Sequence, residues 1–180
     1  MCSSDPTATA RTGLQPGRHR PIVLPMNYQL RGLEPALFES LFDLDDAALA
    51  ARGMRRLRAD QPVGYPCRIS LEDAPVGEEL LLLPFTHQDS RSPYRASGPI
   101  FVRRGRPGAA RITGTLPPYL ALRPLSVRAY DAADEMVDAE VVDGAEAAPV
   151  IQRYLAREDV AYLHVHFARR GCYACRIDRA

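Results

Sequence analysis

At 180 residues, 46% of them hydrophobic, the chain is long enough to bury one sizeable core and too short to make a second independent domain the expectation. Its 23 basic and 22 acidic residues nearly cancel, which argues against a nucleic-acid partner, since such a partner demands a basic surface. All the basic residues are Arg, so chemistry that needs a lysine amine is excluded.

The N-terminal segment, residues 1–24, is predicted to be a disordered tail because small, polar and Arg residues follow one another without hydrophobic periodicity. It lacks the apolar stretch of a secretory signal, and the longest aliphatic run of the chain, LLLLPF at 80–85, is only strand-sized. These features predict a cytoplasmic protein with no membrane partner, whose cysteines are thiols or metal ligands. Residues 25–180 are predicted to form a single domain, and Met26 is a candidate natural start.

The predicted domain begins with a strand in MNYQLRGL and continues with a helical pattern in EPALFESLFDLDDAALAARG. Asp43 or Asp45 is a candidate cap and Gly53 a stop, so the pattern predicts one broken helix or two short ones. Five β-rich segments separated by Pro and Gly follow, at 67–71, 80–85, 99–103, 125–130 and 136–142.

The C-terminal part is predicted to contain a second helix, AAPVIQRYLARE, and a closing hairpin at 161–167 and 172–177. Strands dominate, and the helices do not alternate with them. The pattern therefore predicts an α+β fold with a mainly antiparallel sheet, a C-terminal hairpin and helices that cover one face.

Four blocks of the sequence occur in an order that resembles a known family: GYPCRISLEDAPVGEELLLLPF, SPYRASGPIFVR, LSVRAYDAADEMVDAEVV and AYLHVHFARRGCYACRIDR. They are similar to the bacterial family catalogued as domain of unknown function 1203. The resemblance covers most of the chain from about Met26 onward. It implies no activity, substrate or cofactor, so function has to be inferred from the residues themselves.

The closing hairpin contains two histidines, two cysteines and two arginines within twelve residues, HVHFARRGCYAC at 164–175. Alternation along a strand places His164 and His166 on one face and the aliphatic and aromatic residues between them on the other. A three-residue loop, 169–171, with its glycine in the left-handed conformation, would pair Ala168 with Cys172. In that register Cys172 and Arg176 share the face of the two histidines, whereas Tyr173, Cys175 and Ile177 join the core face.

The first interpretation of this face is a metal site. His164, His166 and Cys172 would supply two imidazoles and a thiolate to zinc and leave one position open, as in catalytic zinc sites. Arg176 is then an unfavourable neighbour for a dication, unless a carboxylate intervenes.

The second interpretation is a pocket for a small anionic molecule, drawn by Arg176 and the two histidines, and it is our working hypothesis. Its enzymatic version is a hydrolase or transferase in which Cys172 is the nucleophile, His166 the base and His164 a further catalytic residue. Whether the protein is an enzyme stays open. Candidate ligand-binding residues elsewhere in the chain are Arg128, Arg95, Tyr94, Ser97 and Arg68. By alternation, Arg128 shares a strand face with Ser126 and Tyr130.

The third interpretation is structural. The polar face of an edge hairpin would then look out to water, and the protein would be an interaction module without a site. Two further residues are predicted to have no functional role. Cys67 is predicted to be a buried inert thiol, and His87 a surface histidine in the polar loop after a strand. The sequence leaves all three interpretations open.

Overall fold

The computed structural model describes residues 27–105 and 107–180, so the predicted tail at 1–24 and Met26 lie outside the described residues. The described chain forms eleven strands: β1 (Tyr28–Arg31), β2 (Arg55–Arg58), β3 (Pro66–Cys67), β4 (Glu72–Asp73), β5 (Glu79–Gln88), β6 (Ala96–Arg103), β7 (Arg111–Thr113), β8 (Pro124–Tyr130), β9 (Met136–Asp143), β10 (Tyr162–Phe167) and β11 (Tyr173–Arg179). Its α-helices are α1 (Asp46–Ala51), α2 (Pro118–Ala121) and α3 (Ala147–Leu155).

The strands divide between two sheets. A six-stranded antiparallel sheet has the order β7-β1-β11-β10-β8-β9, and a five-stranded sheet has the order β2-β5-β6-β3-β4, in which β3 and β6 are parallel. The mainly antiparallel α+β class and the C-terminal hairpin, β10–β11, agree with the sequence prediction.

The helices are short and are shared between the two sheets. Helix α1 contacts β2 of the five-stranded sheet, whereas α3 contacts β8, β9 and β10 of the six-stranded sheet. This arrangement does not show the predicted set of helices covering one face of one sheet. None of the helices in the described ranges is long and apolar enough to cross a membrane.

The predicted helical pattern after β1 is broken into pieces. Two 3-10 turns, Pro35–Leu37 and Glu39–Asp43, precede α1. The Asp45 side chain caps α1 by accepting a hydrogen bond from the Ala48 amide at 2.7 Å, and Gly53 follows the helix with φ of +70°. The broken alternative is therefore confirmed, with Asp45 as the cap.

The strand predicted at 67–71 is wrong beyond Cys67. The Leu71 amide donates to the Cys67 carbonyl at 3.0 Å, and Leu71 itself has φ of +54°, so the chain turns here instead of extending. The turn leaves Cys67 fully buried, as predicted, and carries Arg68 toward the six-stranded sheet, where it is also buried.

The two faces of the six-stranded sheet have different partners. One face packs its aliphatic side chains, among them Leu163 and Val165, against α3, whose Ile151 and Leu155 belong to the same core cluster. The opposite face carries His164 and His166 and meets the end of β5. A functional site on the histidine face therefore lies between the two sheets.

Candidate metal-binding site

The register of the closing hairpin changes along its length. His164 lies opposite Arg176, as the predicted register requires. A β-bulge follows, so that Tyr173, and not Ala174, lies opposite His166. The bulge brings the Tyr173 ring to the histidine face. Regular alternation along the strand predicted that this ring would lie on the core face.

The loop of the hairpin is one residue longer than predicted. The Phe167 amide donates to the Cys172 carbonyl at 2.9 Å, so four residues, 168–171, connect the strands, and the predicted three-residue loop is wrong. Gly171 has the expected left-handed conformation, with φ of +73°. The bulge in β11 compensates for the additional loop residue, and Cys175 stays in the core as predicted.

The hairpin lies inside the six-stranded sheet and not at its edge. Strand β11 pairs with β1, and β10 pairs with β8. His164 is 2% exposed and His166 is 1% exposed. The interpretation as a solvated edge hairpin is therefore wrong.

A third histidine completes the cluster. His87 is the additional residue of a β-bulge in β5, between the paired residues Thr86 and Gln88, and a bulge of this kind re-aims a side chain. The centroid of its ring lies 4.9 Å from that of His166 and 6.0 Å from that of His164. The sequence predicted a surface position for this half-buried residue, because no local pattern reveals which sheet it faces.

The three histidines present metal-ligand geometry. Each offers one ring nitrogen, and these three nitrogens lie within 4.8 Å of one another. Each ring also has a buried nitrogen that finds no hydrogen-bond partner among the described residues: Nδ1 of His87, Nδ1 of His164 and Nε2 of His166. A buried polar atom without a partner costs about 1–3 kcal/mol, so a ligand shared by the three nitrogens would recover part of this free energy.

The backbone fixes the orientation of His166. Its Nδ1 lies 2.9 Å from the Gly171 carbonyl oxygen, which can only accept, so Nδ1 carries the proton. The Nε2 atom of the neutral ring is then left with its lone pair. Donation from the second ring nitrogen to a carbonyl is the usual way in which a metal-binding histidine is oriented.

Burial keeps all three imidazoles neutral at physiological pH. Desolvation is the main cause that lowers the pKa of His164 to about 2, of His166 to about 3 and of His87 to about 4. The positive charge of Arg128 lowers the pKa of each of the three further. Neutral imidazole is the form that binds metals.

Aromatic rings enclose the cluster. Tyr173 stacks on His87 with a centroid distance of 5.0 Å and an interplanar angle of 3°. Tyr130 and Tyr162 contact His164 at 5.1 and 5.2 Å, and these two tyrosines stack on each other. The rings exclude water from the imidazoles, which is why desolvation dominates their pKa values.

A hydrogen-bonded chain supports this enclosure from outside. The Gln88 side chain, on β5, donates to the Tyr162 hydroxyl at 2.7 Å, and this hydroxyl donates to the Asp134 carboxylate at 2.7 Å. The chain links the two sheets beside His164 and so fixes the distance between His87 and the other two histidines.

Comparison with known protein families shows to which family the chain belongs. A family model described as protein of unknown function (DUF1203) matches residues 64–179. The chain belongs to the DUF1203 family. The resemblance inferred from the sequence blocks is thus confirmed, and the matched range contains His87, His164 and His166. No curated protein and no solved structure matches this DUF1203 chain.

The structure brings several of the predicted ligand residues of this DUF1203 chain to the cluster. Arg128 on β8 and Arg176 on β11 flank His164 in register. The buried Arg68 donates from Nε to the Tyr173 carbonyl at 2.8 Å, at the bulge of β11. Tyr94 packs edge-on against Tyr130 at 6.5 Å and so lies at the border of the site.

Three other predicted site residues are not brought into the cluster. The Cys172 Sγ atom contacts the Arg170 carbonyl at 3.8 Å, and the described residues include no hydrogen bond between this thiol and His166. Arg95 is exposed and pairs with Asp89 at 2.9 Å. Ser97 shares a hydrogen bond of 2.8 Å with Thr86, before the bulge. The roles assigned to Cys172, Arg95 and Ser97 stay predictions.

Proposed function

We propose that this DUF1203 protein binds one divalent transition-metal ion of the zinc class through His87, His164 and His166. The observation that carries the proposal is the set of three buried ring nitrogens without hydrogen-bond partners in the described chain. Three imidazoles that converge in this way are the ligand set of several catalytic zinc sites.

The ligand set differs from the one that the sequence favoured. Two ligands, His164 and His166, are retained, and His87 takes the place that the sequence analysis gave to Cys172. Imidazole ligands suit zinc and also copper, iron and nickel, so the donor set fits a transition metal better than Mg²⁺ or Ca²⁺. Three protein ligands leave a coordination position for water or substrate, and zinc lowers the pKa of such a water to about 7.

One of the two neighbouring arginines is neutralised by a carboxylate. Nε and Nη2 of Arg176 each lie 2.9 Å from Oδ1 of Asp178, and the guanidinium lies 3.8 Å from the centroid of the Tyr162 ring. The pairing reduces the repulsion between Arg176 and a dication at the histidines. Arg128, by contrast, forms no ion pair with an acidic side chain of the described residues.

Binding of a metal would join the two sheets, because His87 belongs to β5 and the other two ligands to β10. Zinc should therefore raise the melting temperature as well as bind with a defined stoichiometry. Neither the melting temperature nor the binding stoichiometry depends on any enzymatic activity.

The test is a titration of the chelator-stripped chain, purified without a metal-affinity tag, with zinc sulfate at pH 7.5 in a calorimeter. We expect one zinc ion per chain. His87→Gln should weaken the binding by about tenfold or more, because a ligand is lost at a half-buried position where the fold tolerates change. His166→Gln should have an effect of at least the same size.

Cys172→Ala is the matched control, since it removes the ligand that the sequence favoured without touching the three histidines. Zinc affinity that is unchanged in Cys172→Ala and reduced in His87→Gln supports the three-histidine site. Unchanged affinity in both His87→Gln and His166→Gln, or the absence of stoichiometric zinc binding to the folded wild type, would contradict it.

A further inference from the structure

We propose that the site binds a small organic carboxylate, whose carboxylate group contacts both the metal ion and the Arg128 guanidinium and whose apolar part lies over Val141. The inference rests on the proposed function, because the metal ion is one of the two groups that the carboxylate contacts. It names the class of ligand for the open coordination position.

Arg128 is a half-buried cation that pairs with no carboxylate among residues 27–105 and 107–180. Its Nε lies 3.3 Å from the Ser126 hydroxyl, and the Tyr130 hydroxyl is its other polar neighbour. Neither hydroxyl carries a counter-charge, and no acidic side chain of the described ranges forms an ion pair with Arg128. A guanidinium in this state offers a planar fork of donors to an anion.

A metal ion at the three histidines would add to the positive charge of Arg128. Three neutral imidazoles leave the dication with its full charge, and Arg128 adds another positive charge one strand away from His164. Asp178, two residues along β11 from Arg176, is already shared between Arg176 and Arg31. An anion that bridges the metal and Arg128 would compensate both positive charges at once.

The strand register gives such a ligand a route to the site. Residues opposite each other in an antiparallel pair share a face, so His166, Ser126 and Val141 form one row across β10, β8 and β9. Along this row His166 is 1% exposed, Ser126 is half-buried and Val141 is 68% exposed. The histidine cluster is therefore closed toward β11 and opens toward β9.

The open end of the row is apolar. Val141 is one of the large hydrophobic side chains exposed in the described part of the chain, and Ala139, which lies opposite Arg128, is exposed beside it. Spacing between neighbouring strands is about 4.8 Å, so a ligand of one ring can reach from the Arg128 guanidinium to Val141. This apolar border favours an organic carboxylate over inorganic phosphate.

The experiment uses benzoate, acetate and inorganic phosphate as probes, titrated into the zinc-loaded full chain after the zinc isotherm itself has been recorded. We expect benzoate to bind about tenfold more tightly than acetate, and phosphate to bind more weakly than benzoate. Arg128→Met should weaken benzoate binding by about tenfold, since a charge-assisted contact is lost. The same variant should bind zinc at least as tightly as the wild type, because a repulsive charge next to the dication is removed.

Two further variants complete the design. Val141→Ser should reduce the preference for benzoate over acetate to about threefold, because apolar contact is lost at an exposed position. Arg104→Met, an exposed arginine that pairs with Asp43, is the matched control and should change neither isotherm.

The outcomes separate this inference from the proposed function. Zinc binding without benzoate binding overturns the carboxylate site alone, as does equal benzoate affinity in wild type and Arg128→Met, or phosphate that binds more tightly than benzoate. Absence of zinc binding overturns both proposals. A loss of benzoate affinity in Arg128→Met with zinc affinity retained supports both.

Discussion

The metal-free protein is expected to lose about 4 kcal/mol of unfolding free energy between pH 7.5 and pH 5.0 through His164 and His166. The pKa of these groups is about 2 and about 3 in the folded chain, against about 6.5 in an unfolded one. As the pH falls through 6.5, the unfolded state takes up protons that the folded state does not, so folding becomes less favourable. Each histidine contributes about 2 kcal/mol to the loss at pH 5.0.

The measurement is urea denaturation in the presence of a chelator at the two pH values, with His164→Phe as the comparison. Phenylalanine keeps a ring of similar size and removes both the titration and the buried unpartnered nitrogen. The loss of stability over this interval should therefore be about 2 kcal/mol smaller in the variant. Carboxylates whose pKa is lowered, such as Asp138 and Asp159, titrate in both proteins and cancel in the comparison. An equal loss of stability in both proteins would contradict the lowered pKa of His164.

Replacement of Arg68 by Met is expected to lower the unfolding free energy by about 3 kcal/mol and to weaken zinc binding by about tenfold. Arg68 is 2% exposed and donates to the carbonyls of Tyr173 and Pro66, which the variant leaves buried without a donor. The Tyr173 carbonyl belongs to the bulge that places the Tyr173 ring against His87. Arg68 is thus a positioning residue for the proposed site, and denaturation together with zinc titration measures both effects.

The variant Arg103→Met tests whether the loss of zinc affinity in Arg68→Met comes from the position of Arg68 or only from the loss of stability. Arg103 is also a buried arginine, 3% exposed, and pairs with Glu78 at 2.6 Å and Glu72 at 2.8 Å in the five-stranded sheet. Its loss should destabilise the chain by about 2 kcal/mol, since two ion pairs of a buried guanidinium are removed, yet leave zinc affinity unchanged. Equal effects of the two variants on zinc affinity would contradict the positioning role of Arg68.

Parts of the candidate site were predictable because they depend on local alternation. The period of two along HVHF placed His164 and His166 together, and the same period on β8 placed Ser126 and Arg128 on one face. The pairing of His164 with Arg176 also followed, since matching apolar residues across the hairpin constrains its register. These features needed only neighbouring residues.

Other parts were not predictable because each depends on a single additional residue in a strand. A bulge in β11 moved Tyr173 from the core face to the histidine face, and a bulge in β5 turned His87 toward the other sheet. A shift of one residue exchanges the two faces of a strand, and the sequence carries no local mark of where it occurs. Cys172, whose position depended on the loop length, consequently lost its expected place beside His166.

The sequence by itself determined the α+β class, the closing hairpin, the core position of Cys175 and the presence of two histidines on one face, because hydrophobic periodicity encodes which face is buried. Only the tertiary structure decided that this face is interior, that a third histidine meets it from a second sheet and that no acidic side chain of the described part of the chain pairs with Arg128. These facts depend on contacts between segments far apart in the chain, and the free energy of such contacts is a property of the packed fold and not of any one segment.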